Sequence, residues 1–169
     1  MADEQNGAQQ PGDGAENAAP PQISINAQYI KDLSFENPNA PASFTQSEGQ
    51  PQVQIQVDVQ VRPGGSNTYE VALHLTVDAK RGDNQVFILE LVYAAIFTLQ
   101  NIPEENHELI CLVECPRLIF PFARRIVADM SRDGGFPPLM MDPIDFMALY
   151  QSQRARQQEA QQQTEGGNA

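Results

Sequence analysis

The chain has 169 residues and a formal net charge of −12, with 22 Asp and Glu against 10 Lys and Arg. That balance argues against DNA or RNA as the main partner, since phosphate binding needs Lys/Arg clusters that this chain lacks. The length suits one domain of ordinary size plus tails, and the 13 prolines, 11 glycines and many glutamines gather toward the ends.

Residues 1–22 are acidic and rich in Pro, Gly and Ala, a composition that cannot bury enough surface to fold. They lack the basic and apolar regions of a signal peptide, and no run approaches the ~20 apolar residues of a membrane helix. A soluble, cytoplasmic protein with no direct membrane insertion is expected. The folded part should span residues 23–150.

From Ile23 the odd positions Ile25, Ala27, Tyr29, Leu33 and Phe35 alternate with polar ones, giving a half-buried strand in which Ile30 and Lys31 break the pattern. ENPNAP stops it, because Pro38 and Pro41 cannot donate to a ladder. The second strand is the cleanest, with Val53, Ile55, Val57, Val59 and Val61 against a row of glutamines. Tyr69, Val71, Leu73, Leu75 and Val77 make the third. The fourth, VFILELVYAAIF, is apolar on both faces except at Glu90, so both faces, or one face and an edge, need cover. Strands in succession followed by helices give an α+β class: a four-stranded antiparallel sheet with a long helix packed on one face and a C-terminal helix.

LIFPFARRIVADM, residues 118–130, is the organising helix. At about 100° per residue its apolar side chains cover roughly 200° of the circumference, more than one packing partner can hide. Leu118, Phe122, Ile126, Val127 and Met130 are therefore expected to meet both the sheet and a second subunit of a symmetric oligomer. Pro121 predicts a kink or restart. GGFPPLMMDP is a connecting loop, Asp142-Pro143 reads as N-cap and N1 of the last helix, and residues 151–169 read as a Gln-rich mobile tail.

His107, Cys111 and Cys115 share one helix face, but the outer two lie roughly 12 Å apart at 1.5 Å per residue and surround a metal poorly. Packed thiols explain them better, and no metal or cofactor is expected. Only two histidines occur, without a nucleophile elbow, phosphate loop or zinc-protease motif, so no catalytic residue is expected. The apolar loop residues Phe44, Phe136, Leu139, Met140 and Met141 suggest a long binding groove instead. Taken alone, the acids Asp32, Glu36 and Glu90 read as a solvated sheet face.

YIKDLSFENPNAP, residues 29–41, and CPRLIFPFARRIVADMSRDGGFPPLMMDPIDFMALY, residues 115–150, resemble SecB, the bacterial protein-export chaperone family. The resemblance covers essentially the whole folded part. It implies a homotetramer, a dimer of dimers in which sheets sandwich a layer of long helices. It implies an ATP-independent holdase that binds unfolded precursor proteins and delivers them to the motor SecA. Carried over by position, SecA binding falls on Asp32, Glu36, Ile88 and Glu90. The client groove falls on Phe44, Ile55, Val57, Phe136, Leu139, Met140 and Phe146. A SecB-like chaperone dedicated to one client, such as an antitoxin, is the alternative. Two departures stand out: the tail lacks the family's usual recognition sequence for the zinc-bearing end of SecA, and Ala94-Ala95 replace familiar glycines.

Overall fold

The structure is a computed structural model that describes residues 19–45 and 49–166. The first 18 residues, where the disordered tail is expected, lie outside the described residues. Four strands, β1 (Gln22–Glu36), β2 (Gln52–Gly65), β3 (Thr68–Arg81) and β4 (Asn84–Gln100), form one antiparallel sheet in the order β1-β4-β3-β2. β2, β3 and β4 follow one another through tight hairpins, at which Asn67 and Gly82 adopt positive φ (55° and 58°). β1 pairs with β4, not with its sequence neighbour β2, which is a Greek-key arrangement. The segment after β1, with the single helical turn α1 (Ala42–Thr45), crosses to the far edge.

β1 carries two bulges. The register steps from Ile25 opposite Phe97 to Ala27 opposite Ile96, and again from Ile30 opposite Tyr93 to Asp32 opposite Val92. Each extra residue turns the following side chains over. Ile23, Ile25, Leu33 and Phe35 thus share the face of Leu89 and Leu91, while Ala27 and Tyr29 between the bulges share the face of Glu90 and Ala94. The misfit of Ile30 and Lys31 in the period-two pattern has this physical cause.

The helical layer begins with a 3-10 turn (Glu104–Asn106), continues through α2 (His107–Leu109) and a π turn (Ile110–Glu114), and runs into α3 (Cys115–Asp133). Pro121 does not interrupt α3. It is exposed, and the bond it forfeits, to the carbonyl of Arg117, lies on the exposed side of the helix. Ile119, Ala123 and Val127 are fully buried and face the sheet, whose core is Leu73, Leu75, Val77, Leu89, Leu91 and Phe97, each at most 1% exposed. Burying each such side chain contributes about 1.5–3 kcal/mol, so β3 and β4 anchor the fold. β2 is an edge strand that leaves Val53 and Ile55 exposed.

α3 ends in a Schellman motif. Gly135 has φ +87°, its N–H donates to the Arg132 carbonyl (2.9 Å), and the Phe136 N–H donates to Ser131 (3.0 Å). The last helix, α4 (Phe146–Gly166), starts three residues later than Asp142-Pro143 suggests. Asp145 is the cap, accepting the Ala148 N–H at 3.0 Å. Met141 is drawn into the core and its carbonyl accepts from Arg124 (3.3 Å), which holds the preceding residues extended. α4 also runs past Gln151, where composition predicts an end. Gln, Arg and Ala are good helix formers, and no Gly or Pro intervenes before Gly166.

Candidate functional site

The helix side of the sheet carries an open apolar groove. Its floor is an aromatic cluster in which Phe136 packs at a tilt on Phe87 (ring centroids 5.0 Å) and stacks on Phe44 (5.2 Å), and Phe35 stacks on Phe87 (5.4 Å). A cavity of about 460 Å3 opens there between the segment after β1, the start of β2 and the α3–α4 connection. Pro51, Val53, Phe87, Phe136, Pro138 and Leu139 are among its lining residues. Two glycines make the close packing possible. A Cβ at Gly134 would overlap the Phe35 ring, and one at Gly135 would lie 2.9 Å from Phe44. The connection is held in place by Ser131, whose buried hydroxyl donates to the Ala128 carbonyl (3.0 Å) and accepts the Leu139 N–H (2.8 Å).

Of the expected groove residues, Phe136 and Leu139 line this cavity and Phe44 stacks on its wall. Ile55 and Val57 continue the same face of β2 beyond Val53. Met140, beside Leu139, is 68% exposed. Phe146 does not belong with them. It is fully buried and packs edge-on against Phe120 (5.9 Å) in the core, out of reach of a bound chain. Met141 is likewise buried. Phe35, Phe87 and Val53 are the members that sequence reasoning missed, because strand alternation marks them only as inward-facing.

The opposite face of the sheet is polar. Register places Glu36 beside Ile88, Ser34 beside Glu90 and Asp32 beside Val92, so Asp32, Glu36, Ile88 and Glu90 form one patch across β1 and β4. Asp32, Glu36 and Glu90 are exposed, and among the described residues no side-chain hydrogen bond or ion pair engages them. Their neighbours differ. Asp78, opposite Ile88 on β3, accepts from Lys80 (2.8 Å) and Gln85 (2.6 Å), which hold its carboxyl below the usual range. Glu70 accepts from Lys31 (2.7 and 2.8 Å) and from the Tyr29 hydroxyl (2.5 Å). Those bonds, Lys31 first, lower its pKa, and the same contact raises that of Tyr29. Exposed carboxylates without partners are free to meet an incoming cation; Glu70 and Asp78 are already engaged.

A third surface lies on α3. Leu118 and Phe122 are 44% and 45% exposed, with Ile126 and Met130 half-buried along the same stripe. Val127 is the exception among the expected interface residues, since it is fully buried against its own sheet.

His107, Cys111 and Cys115 are occupied internally. The His107 Nδ1 bonds the Tyr69 hydroxyl (2.8 Å) and its Nε2 the Ile102 carbonyl (2.9 Å). The two buried thiols share a hydrogen bond that pushes Cys115 up. Among the described residues no cluster of three or more His, Cys, Asp or Glu is placed to hold a metal, and no helix is long and apolar enough to cross a membrane.

The sequence profile of the family described as "Preprotein translocase subunit SecB" matches residues 16–157. The chain belongs to the SecB family. It is 52% identical over 150 residues to the protein-export protein SecB of Afipia carboxidovorans, covering 89% of this chain and 93% of the relative. It is 56% identical over 143 residues to that of Paramagnetospirillum magneticum, covering 84% and 91%. Its fold matches the SecB-like chaperone of Mycobacterium tuberculosis, solved with a peptide from the HigA1 antitoxin. That match has a TM-score of 0.55 at 16% identity and covers 72% of this chain and 90% of that one. Identity of about half across nearly the whole length supports a protein-export chaperone function for this chain.

Proposed function

We propose that this protein is a cytoplasmic, ATP-independent holdase that keeps precursor chains unfolded in its apolar grooves and passes them to SecA. The observation that carries the reading is the opposition of two surfaces on one sheet. The aromatic groove opens on the helix side, and the unpaired acids Asp32, Glu36 and Glu90 lie on the other. A client in the groove leaves the acidic face free, so holding and handover need not compete.

The exposed stripe of Leu118 and Phe122 supports assembly through α3 into a homotetramer, a dimer of dimers. Each CH₂ buried in a groove is worth about 0.8 kcal/mol, and several grooves on one assembly multiply weak contacts through effective concentration. Sequence specificity is then unnecessary. The dedicated-client alternative is not favoured: the relatives at about 50% identity are protein-export proteins, and the antitoxin-binding chaperone shares only the fold.

The test is to dilute a denatured, aggregation-prone preprotein with and without this protein, in the absence of ATP, and to follow light scattering. Suppression at about one tetramer per client is expected. Unaffected scattering by the folded protein would reject general holding and bring the dedicated client forward.

A further inference from the structure

One wall of the apolar groove is held by a charged side chain. Along β3 the alternation puts Val77, Ala79 and Arg81 on one face, and Val77 and Ala79 are completely covered. Arg81 thus stands, half-buried, where the pattern calls for an apolar residue. It lines the cavity together with Val53, Phe87 and Phe136.

A guanidinium in such a place needs acceptors, and the segment after β1 supplies them. Nε donates to the Gly49 carbonyl (3.1 Å), and Nη1 reaches the Ser43 carbonyl at 3.5 Å. Ser43 is itself buried, its hydroxyl donating to Asn37 (2.9 Å). Gly49 has φ +81° and lies just before Pro51, another lining residue. The planar fork therefore meets the chain on either side of Phe44. That ring is 51% exposed, yet it stacks on Phe136. It stands on α1, a single turn of four residues, too short to be stable unaided. The ring contact alone is a weak restraint on such a turn; the fork adds a second.

We propose that Arg81 is a positioning residue for the groove: by bridging the Gly49 and Ser43 carbonyls it keeps Phe44 stacked on Phe136, as the wall against which a client packs. This rests on the reading of the cavity as the client groove. The guanidinium bonds the chain's own carbonyls, and the rings hold the client.

The test compares Arg81→Met with wild type in the full chain, since Met keeps an unbranched stem and removes the donors. Contacts between the Phe44 and Phe136 rings are read by nuclear Overhauser effects in labelled protein. Affinity is read by fluorescence anisotropy with two unfolded peptides, one apolar and uncharged, the other carrying a single added Asp. Arg81→Met should lose the ring contacts and bind both peptides about tenfold more weakly, the scale of one hydrogen bond to a charged group, with the urea midpoint unchanged. Arg81→Lys, a point donor that cannot span both carbonyls, should fall between the two. Ring contacts that persist overturn the proposal. So does a loss confined to the Asp peptide, which would make Arg81 a direct client contact, and so does a urea midpoint that falls in step with affinity. Contacts that disappear with affinity unchanged, while Phe136→Ser still lowers it, overturn it as well. If the contacts disappear and neither variant affects affinity, the groove reading fails and the positioning by Arg81 stands. Should Arg81→Met not fold, Arg81→Lys carries the test. Amide exchange at Phe44 should then quicken several-fold with Leu89 unchanged, and unchanged exchange at Phe44 overturns the proposal.

Discussion

At the scale of single residues, what separates the acids of the outer face is whether they are already paired. Among the described residues Asp32 and Glu90 have no side-chain partner, whereas Glu70 and Asp78 are engaged within the sheet. Asp32→Lys and Glu90→Lys are each expected to weaken SecA binding about tenfold or more, as reversing a charge at a complementary surface does, with client holding intact. Isothermal calorimetry against SecA, run beside the light-scattering assay, checks both halves.

Glu70 gives a pH dependence whose direction follows from its lowered pKa. Its folded-state value lies below that of the unfolded chain, so the stabilisation it provides is fully present above the ordinary carboxylate pKa of about 4.3. It is lost as pH falls through the folded value. Amide exchange in β1 should accelerate below pH 4, and Glu70→Gln should flatten that response. An identical acid profile in both proteins would show that the Lys31 and Tyr29 bonds do not bind the strand.

At the scale of elements, the groove is a product of how α3 stops. The Schellman turn brings Gly134 under the Phe35 ring and Gly135 against Phe44, so the helix end and the aromatic floor are one packed unit. Gly134→Ala should destabilise the fold by about 1–3 kcal/mol, the usual cost of overpacking, and should lower client binding by displacing Phe35. Urea unfolding at constant slope gives the first quantity, and an apolar fluorescent probe of the groove gives the second.

Elements also mark the limit of what the sequence discloses. The clean alternation of Val53 to Val61 and of Val71 to Val77 fixes β2 and β3, because period two has one reading when each residue pairs. In β1 the extra residues Asn26 and Lys31 reverse the phase and then restore it, so the pattern looks like one strand with two faults. Neither the pairing of β1 with β4 nor the start of α4 at Phe146 has a local signal. Each depends on which apolar side chain the core captures. The burial of Phe146 and Val127 within the protomer has no local signal for the same reason. On an amphipathic helix, a residue facing its own sheet and one facing a groove or a second subunit carry the same apolar signature. The acidic face was legible only through the resemblance of its motif, since unpaired and paired carboxylates do not differ in sequence.

At the scale of the whole molecule, the helix face of Leu118 and Phe122 decides assembly. Phe122 is half out of its own chain, so Phe122→Asp should leave the protomer folded while placing a charge where a second subunit would bury it. Multi-angle light scattering should report a smaller species than wild type. Wild-type mass with full activity would place the subunit contact elsewhere. Between the two faces of the sheet the molecule keeps its polar and apolar business apart. The −12 charge also favours long-range attraction to basic segments.

The paired bulges of β1 have a consequence for how the chain can change length. Removing Asn26 or Lys31 joins residues that already sit at consecutive rungs, Ile25 with Ala27 or Ile30 with Asp32, and every other pairing is kept. Removing Gln28 instead turns part of the strand over. β1 therefore has two places where natural variants can drop a residue without losing the frame. A protein shortened at Lys31 would keep its core pairings and leave Asp32 opposite Val92.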